Sequence, residues 1–366
     1  MNKRFAHILA FTALSIASYA QIDPVYISDL PLLIDEASGL ACPHPDTCWT
    51  HNDSDDSQRI YLLSAQGAFL GQRVLESASQ VDYEDMTMDD EGKLYIGDFG
   101  NNANDRQNLG IYICSPNTVS GSLIPASYIS LTLSDQSEFP PTNAQKNFDI
   151  EAMIHQGTYL YLFSRNRTSP YTGLTKMYRL TAEPGPQIAE LMGEFFGNLS
   201  EPYNSITSAD ISPDGSRMAL LSNGSLFLFH DLDSWPLISG EFTYNFFSFT
   251  APFEGIAFID DCTALVVSES DGTIPGKLYS LNTCEIVSDL NENEDPLLLY
   301  YAGGAVYFTA ADEDVNWRLF DPRGRELRLS MQGQSILIAS SYSPGIYLLA
   351  YRSASHSGVF RFMKED

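Results

Sequence analysis

Short apolar runs rich in Val, Ile, Leu, Tyr and Phe alternate along the chain with clusters of Gly, Asp, Asn, Pro and Ser. This pattern predicts strands joined by turns, and helical periodicity is almost absent. One unit recurs: an acidic residue, a small or apolar pair, a loop, then an apolar strand with a polar end. It reads Glu36-Ala-Ser-Gly-Leu-Ala followed by Cys48-Trp-Thr-His-Asn-Asp53, and again Tyr83-Glu84-Asp85-Met86 followed by Leu94-Tyr-Ile-Gly-Asp98. Ile150-Glu151-Ala-Met153, Ser208-Ala-Asp210-Ile-Ser and Phe253-Glu254-Gly-Ile-Ala-Phe258 open three further copies. A third strand usually follows, as in Arg59-Ile-Tyr-Leu-Leu and Gly276-Lys-Leu-Tyr-Ser-Leu. The copies lie roughly 45–67 residues apart, the spacing of four-stranded propeller blades. The expected fold is all-β: a β-propeller of five blades, or six if a degenerate blade occupies 110–148. Residues 25–34 are expected to close the ring by adding an outer strand to the last blade.

The two ends of the chain read differently. Lys3 and Arg4, an apolar stretch from Phe5 to Ile16, and Ser18-Tyr19-Ala20 form a secretory signal pattern over 1–20, with cleavage before Gln21. No later stretch is long and apolar enough for a membrane helix. The propeller is assigned to 21–288. Residues 289–296, polar and acidic, read as a linker. Residues 297–366 return to short alternating strands, which predicts a small Ig-like β-sandwich.

Within that tail, Val315-Asn-Trp-Arg-Leu-Phe-Asp-Pro-Arg-Gly-Arg325, Tyr342-Ser-Pro-Gly-Ile-Tyr-Leu-Leu-Ala-Tyr-Arg352 and Gly358-Val-Phe-Arg-Phe-Met-Lys364 follow one another in order. They resemble the type IX secretion C-terminal sorting domain of Bacteroidetes, with Asp321, Gly324, Arg325, Pro344, Gly345, Tyr347 and Lys364 carrying the match. The tail opens at Asp295-Pro296 where the family usually has an Asn-Pro pair. The resemblance implies the type IX machinery as partner and a secreted or outer-membrane-surface location.

Charge sharpens the division. The tail balances seven acids with seven bases, whereas residues 21–296 hold 40 acids against 11 bases. Such a field repels nucleic acid and anionic lipid and favours cations, although it also serves plain solubility. Five cysteines fit an oxidising compartment. Cys42 with Cys48 and Cys262 with Cys284 are expected to form disulfides, leaving Cys114 free and buried. No Cys-x-x-Cys occurs, and the histidines lack ligand spacing.

The repeat places Glu36, Glu84, Glu151, Asp210 and Glu254 at matching positions, where blade openings face a central channel. Converging carboxylates would raise one another's pKa or hold a cation, and oxygen-only ligands suit Ca²⁺. The alternative is that each acid caps its own loop. Asp98, in Gly97-Asp98-Phe-Gly-Asn-Asn102, is a further metal candidate. His51, Asp53 and Arg165 are the catalytic candidates, although with no paired nucleophile in view His51 reads more readily as a loop histidine than as a base. No Gly-x-Ser-x-Gly or phosphate-binding glycine loop is present. The blade motifs also resemble SdiA-regulated and phytase-like propellers, which implies a calcium-binding ring. Two functions follow: a Ca²⁺-stabilised binding module for an extracellular ligand or, as the alternative, a metal-dependent hydrolase of phosphoesterase or lactonase kind.

Overall fold

The computed structural model describes residues 22–286 apart from 55, 118–120, 197–204, 231, 233–236 and 240–241, and, within 299–364, the strands with a few adjoining turn residues. The signal segment and the linker lie outside the described residues. Two compact units divide the rest, one within 20–287 and one within 288–366.

The larger unit is a five-bladed β-propeller. Strand β1 (Val25–Asp29) comes first in the chain. Blade one is β2 (Ala37–His44), β3 (Thr47–Asn52), β4 (Arg59–Ser64) and β5 (Phe69–Glu76). Blade two is β6 (Tyr83–Met88), β7 (Leu94–Asp98), β8 (Gly110–Cys114) and β9 (Leu123–Leu133). Blade three is β10 (Asp149–Gln156), β11 (Tyr159–Arg165), β12 (Leu174–Thr181) and β13 (Gly185–Phe196). Blade four is β14 (Ile206–Ile211), β15 (Met218–Ser222), β16 (Ser225–Phe229) and β17 (Phe242–Phe246). Blade five is β18 (Phe253–Phe258), β19 (Thr263–Ser268) and β20 (Lys277–Asn282), completed by β1, which pairs antiparallel with β20. The innermost strands β2, β6, β10, β14 and β18 pack side by side in that order, and β18 packs back against β2. The interval 110–148 holds the outer strands of blade two and the loop to blade three, so the six-bladed alternative is set aside.

Packing explains why the strands read as continuous apolar runs. A blade is covered on both faces, so β7, β8, β15 and β16 are buried along their whole length. Between blades three and four, Phe163, Phe195, Phe227 and Phe229 share one core with Met177 and Leu220. Each such side chain contributes about 1.5–3 kcal/mol when fully buried, so face-to-face packing of blades outweighs any single hydrogen-bonded ladder. Near the axis the strands crowd, and small residues are required. A Cβ on Gly39 (φ +61°) would lie 2.8 Å from both the His51 Nε2 and the Met86 nitrogen.

Both expected disulfides are present: Cys42–Cys48 bridges the β2–β3 hairpin, and Cys262–Cys284 ties the β18–β19 turn to the exit of β20. Cys114 is free and buried.

The smaller unit is a β-sandwich. One sheet contains Leu299–Ala302, Ala305–Phe308, Ser335–Leu337 and Ser330–Met331, and the other Glu326–Leu327, Asn316–Phe320, Gly345–Arg352 and Ser357–Lys364. Val306 and Ile336 of the first sheet share a core with Trp317, Leu319, Tyr347 and Leu349 of the second. Asp321 accepts hydrogen bonds from the backbone and guanidinium of Arg325 (2.9 and 3.1 Å), closing the turn read from the sequence. Tyr347 is buried and donates to the Ser343 carbonyl at 2.7 Å. Gly345 pairs with Lys364 in the ladder, while Gly324 and Pro344 lie outside the described residues.

Candidate functional site

Each innermost strand carries a bulge near its start. Pairing to the second strand slips between Ser38 and Leu40, Tyr83 and Met86, Ile150 and Ala152, Ile206 and Ser208, and Phe253 and Gly255. The extra residues are therefore Gly39, Glu84 with Asp85, Glu151, Thr207 and Glu254. A bulge re-aims its side chain and breaks the strand's alternation. Three of the five bulges carry a glutamate.

Asp85 fastens the axis. Its carboxylate accepts from the backbone nitrogens of Met86 (2.9 Å), Met153 (2.8 Å) and Ala209 (3.2 Å) and from the Ser208 hydroxyl (3.0 Å). Burial pushes this carboxyl up, and the four donors oppose that push. Ser38 adds a hydroxyl donated to the Glu84 carbonyl at 2.5 Å. Blades one, two, three and four are thereby linked through polar groups at the centre of the ring.

Beside this network, where the innermost strands begin, the acids gather. Asp53, Asp82 and Glu84 bring one carboxylate oxygen each within 4.8 Å of one another, and Glu84, Asp149 and Glu151 do the same. Glu84 belongs to both groups. Arg167 donates to Asp149 (2.6 Å) and Glu151 (2.9 Å), and Arg165 reaches Glu151 (3.1 Å) and lies 3.9 Å from Glu254. Arg106 holds Asp98 at 2.9 Å and donates to the Gly100 carbonyl at 2.6 Å. The Asn101 backbone N–H donates to Asp149 at 2.6 Å. Guanidiniums thus engage Asp149, Glu151 and Asp98 closely and reach Asp82 (Arg106, 4.0 Å) and Glu254 (Arg165, 3.9 Å) at longer range, while among the described residues no ion pair reaches Asp53, Glu84 or Glu269.

The electrostatics follow from that imbalance. Burial, then Asp82 and Glu269, pushes Asp53 up to about 9. Burial, then Glu36 and Glu151, pushes Glu269 up to about 7. Glu84, Asp149 and Glu254 are also pushed up, chiefly by burial. Glu151 goes the other way: burial raises it, but Arg165 and Arg167, with hydrogen bonds from Asp149 and Glu84, outweigh burial. At neutral pH the cluster must keep protons or take a cation.

A cation fits the residues present. The donors are all oxygens, as Ca²⁺ or Mg²⁺ requires. The Oδ1 of Asp53 is buried with no hydrogen-bond partner, as are the neighbouring Asn52 Oδ1 and Gln80 Oε1. Gly100 keeps the space beside the acids clear: a Cβ there would lie 2.1 Å from Glu84 Oε1 and 2.5 Å from the Asp82 carboxyl carbon. Asp53, Asp82 and Glu84 are the residues that would hold the ion.

The sequence-derived set divides. Glu84, Glu151 and Glu254 occupy equivalent bulges, but Glu36 and Asp210 do not. Glu36 precedes β2, where its counterpart in blade two is Asp82: the Glu36 carbonyl accepts the Asp53 N–H at 2.8 Å, as the Asp82 carbonyl accepts that of Gly100 at 3.2 Å. Its carboxylate accepts from the Ser54 nitrogen and hydroxyl (3.2 and 3.0 Å). Asp210 lies farther along β14 and accepts the Phe258 N–H at 2.7 Å, tying blades four and five. Asp98 is buried, pairs with Arg106 and accepts the Asp82 N–H at 3.1 Å. Of the catalytic candidates, Asp53 and Arg165 are in the cluster. His51 is fully buried against Tyr83, and burial lowers it to about 4, so it stays neutral and out of solvent's reach. Asp82, Asp149 and Arg167 were not singled out from the sequence. Their signal is an alternation: Asp82-x-Glu84 and Asp149-x-Glu151 at strand openings, and Arg165-x-Arg167 at the end of a partner strand.

No protein-family model and no curated protein matches the chain. Among solved structures it is similar to the PQQ-bound aldose sugar dehydrogenase of Streptomyces coelicolor (7% identity, TM-score 0.43, covering 71% of this chain and 98% of that one). It is also similar to a putative gluconolactonase (10% identity, TM-score 0.38, 72% and 92% covered). A gluconolactonase of Xanthomonas campestris gives 9% identity and a TM-score of 0.37, with 74% and 93% covered. At this level of likeness they assign no chemistry to the site.

Proposed function

We propose that the propeller is a cation-dependent hydrolase that opens a neutral ester or lactone at the channel mouth. The observation that carries this reading is the pair of carboxylate triads sharing Glu84, beside an Asp53 oxygen that is buried and unpartnered. Asp53, Asp82 and Glu84 would hold the divalent ion, which when bound supplies Lewis-acid polarisation of a carbonyl or an acidified water. Arg165 and Arg167 favour the ionised form of Glu151, and Arg167 holds Asp149 in place. Glu269, pushed up to about 7, is tuned to accept a proton near neutral pH. Eight carboxyls against three guanidiniums in this cluster repel a polyanion, which favours a neutral substrate over a phosphoester.

The test is a hydrolysis screen of aryl esters, lactones and phosphodiesters with Ca²⁺, Mg²⁺ or Mn²⁺ and with EDTA. Ester or lactone turnover lost in EDTA and restored by one metal is expected. Thermal stabilisation by Ca²⁺ without turnover of any class would instead identify a non-catalytic binding module.

The proposal includes delivery. The leader pattern over 1–20 and the tail motifs support export and type IX sorting to the cell surface. Deleting 297–366 is expected to leave the ring in the periplasm, read by fractionation. Surface display without the tail would refute the sorting role.

A further inference from the structure

Arg106 stands between two carboxylates. Its Nη2 donates to the Asp98 carboxylate at 2.9 Å and to the Asp98 carbonyl at 3.3 Å, and its Nη1 donates to the Gly100 carbonyl at 2.6 Å. The same Nη1 lies 4.0 Å from the Asp82 carboxylate, beyond hydrogen-bond reach. The Arg106 backbone N–H is fixed on Asn101 Oδ1 at 2.9 Å, so the side chain starts from an anchored point. A small rotation of the guanidinium would carry Nη1 onto Asp82, a residue of the cation triad.

Asp98 opposes that rotation. It is 2% exposed, and the oxygen that takes Arg106 also accepts the Asp82 N–H at 3.1 Å. One carboxylate thus holds both the backbone of Asp82 and the cation nearest the Asp82 side chain. The Gly100 N–H on the Asp82 carbonyl at 3.2 Å fixes that backbone from the other side. In a buried setting of low dielectric, a carboxylate at 2.9 Å holds a guanidinium more strongly than one at 4.0 Å. Without the Asp98 charge, Asp82 is the nearest remaining anion to which Arg106 pairs.

We infer that Asp98 is a positioning residue: by pairing with Arg106 it keeps that guanidinium off Asp82 and leaves the Asp82 carboxylate open to the divalent ion. The inference rests on the cation reading of Asp53, Asp82 and Glu84 and adds what guards one of those three ligands. Asp98 itself touches neither ion nor substrate.

Ca²⁺ calorimetry on the full chain, with crystal structures of the metal-free variants, tests it. Asp98→Asn keeps an oxygen for the Asp82 N–H but gives up the charge that holds Arg106. It is expected to bind Ca²⁺ at least about tenfold more weakly than the parent. Adding Arg106→Met to Asp98→Asn is expected to restore the affinity to within about threefold of the parent. A role of Asp98 in backbone structure alone would give no such rescue. Arg106→Met by itself should bind Ca²⁺ no more weakly than the parent, and it decides the matter if Asp98→Asn does not fold. In metal-free Asp98→Asn the Arg106 guanidinium is expected within about 3 Å of the Asp82 carboxylate. Arg106 left on Gly100 with its distance to Asp82 unchanged would overturn the inference. So would an unchanged Ca²⁺ affinity in Asp98→Asn, a double variant as weak as Asp98→Asn, or weaker binding by Arg106→Met alone. A parent chain that binds no Ca²⁺ would instead refute the cation reading, and the place of Arg106 in the Asp98→Asn structure would still decide whether Asp98 holds it back.

Discussion

Glu84→Gln is expected to abolish metal-dependent hydrolysis and, in EDTA, to make the ring more stable. Glu84 belongs to both carboxylate triads and is 5% exposed. Losing one of three carboxylate ligands lowers activity by at least about 100-fold, more than loss of an outer-shell partner costs. The stability effect has the opposite sign because the metal-free cluster holds Glu84 against burial and against the charge of Glu151. The sign with pH follows. A carboxyl whose folded pKa lies above its unfolded value stabilises the fold at low pH and loses that contribution as pH rises through the folded value. With Asp53 near 9 and Glu269 near 7, the parent in EDTA is expected to lose stability from pH 5 to pH 9. The amide avoids part of that loss, so its advantage is small at pH 5 and grows to about 1–2 kcal/mol at pH 8, or roughly 2–8 °C in melting temperature. Adding Ca²⁺ should raise the parent by about 2.7 kcal/mol at a hundredfold excess over Kd and the variant by much less. Thermal melts across pH with and without Ca²⁺ read all of this. A variant less stable than its parent in EDTA at pH 8 would mean that Glu84 is a structural anion, and the cation assignment would fall.

The ring was legible in the sequence because blade strands are covered on both faces. Leu94-Tyr-Ile and Met218-Ala-Leu-Leu are apolar at successive positions, with polar turns between. Closure by β1 was legible for a related reason: residues 25–34 read as an apolar run left over before the first repeat, and its first half, Val25–Asp29, is the strand. The sandwich showed itself through turns such as Asp321–Arg325.

The site was legible only in part, and the cause is local. The repeat groups Glu36 and Asp210 with Glu84, but strand position depends on where each bulge falls. One extra residue reverses which side chains face the axis. In blade one the bulge holds Gly39 and in blade four Thr207, so those blades contribute no acid at that place. The acids that count sit two residues apart across the bulge, as Asp149 and Glu151 do. Arg167 leaves no mark in the sequence pattern because its pairing with Asp149 spans the loop after β11, which no strand pattern reports.

Arg167→Ala is expected to be among the most destabilising single changes in the ring. The guanidinium donates to Asp149 and Glu151, which are 0% and 1% exposed, and also contacts Asn102. Removing one partner of a buried pair costs about 3–5 kcal/mol, because the remaining charge cannot reach water. For a domain of this size that is roughly 10 °C in melting temperature. Arg165 still reaches Glu151, so the larger share of the loss falls on Asp149. Burial and Glu151 already push Asp149 up, and without Arg167 it rises further, so the deficit should shrink as pH falls and Asp149 takes a proton. Asp149→Asn in the same chain should recover much of the loss at pH 8, since the amide needs no counter-charge and can still accept from the Asn101 N–H. Lysine at 167 should recover less, because a single ammonium cannot reproduce the fork that spans two carboxylates. Urea melts of the three variants at pH 5 and pH 8 separate these effects. Equal loss at both pH values, or no recovery with Asp149→Asn, would show that Arg167 acts through packing rather than by neutralising a buried charge.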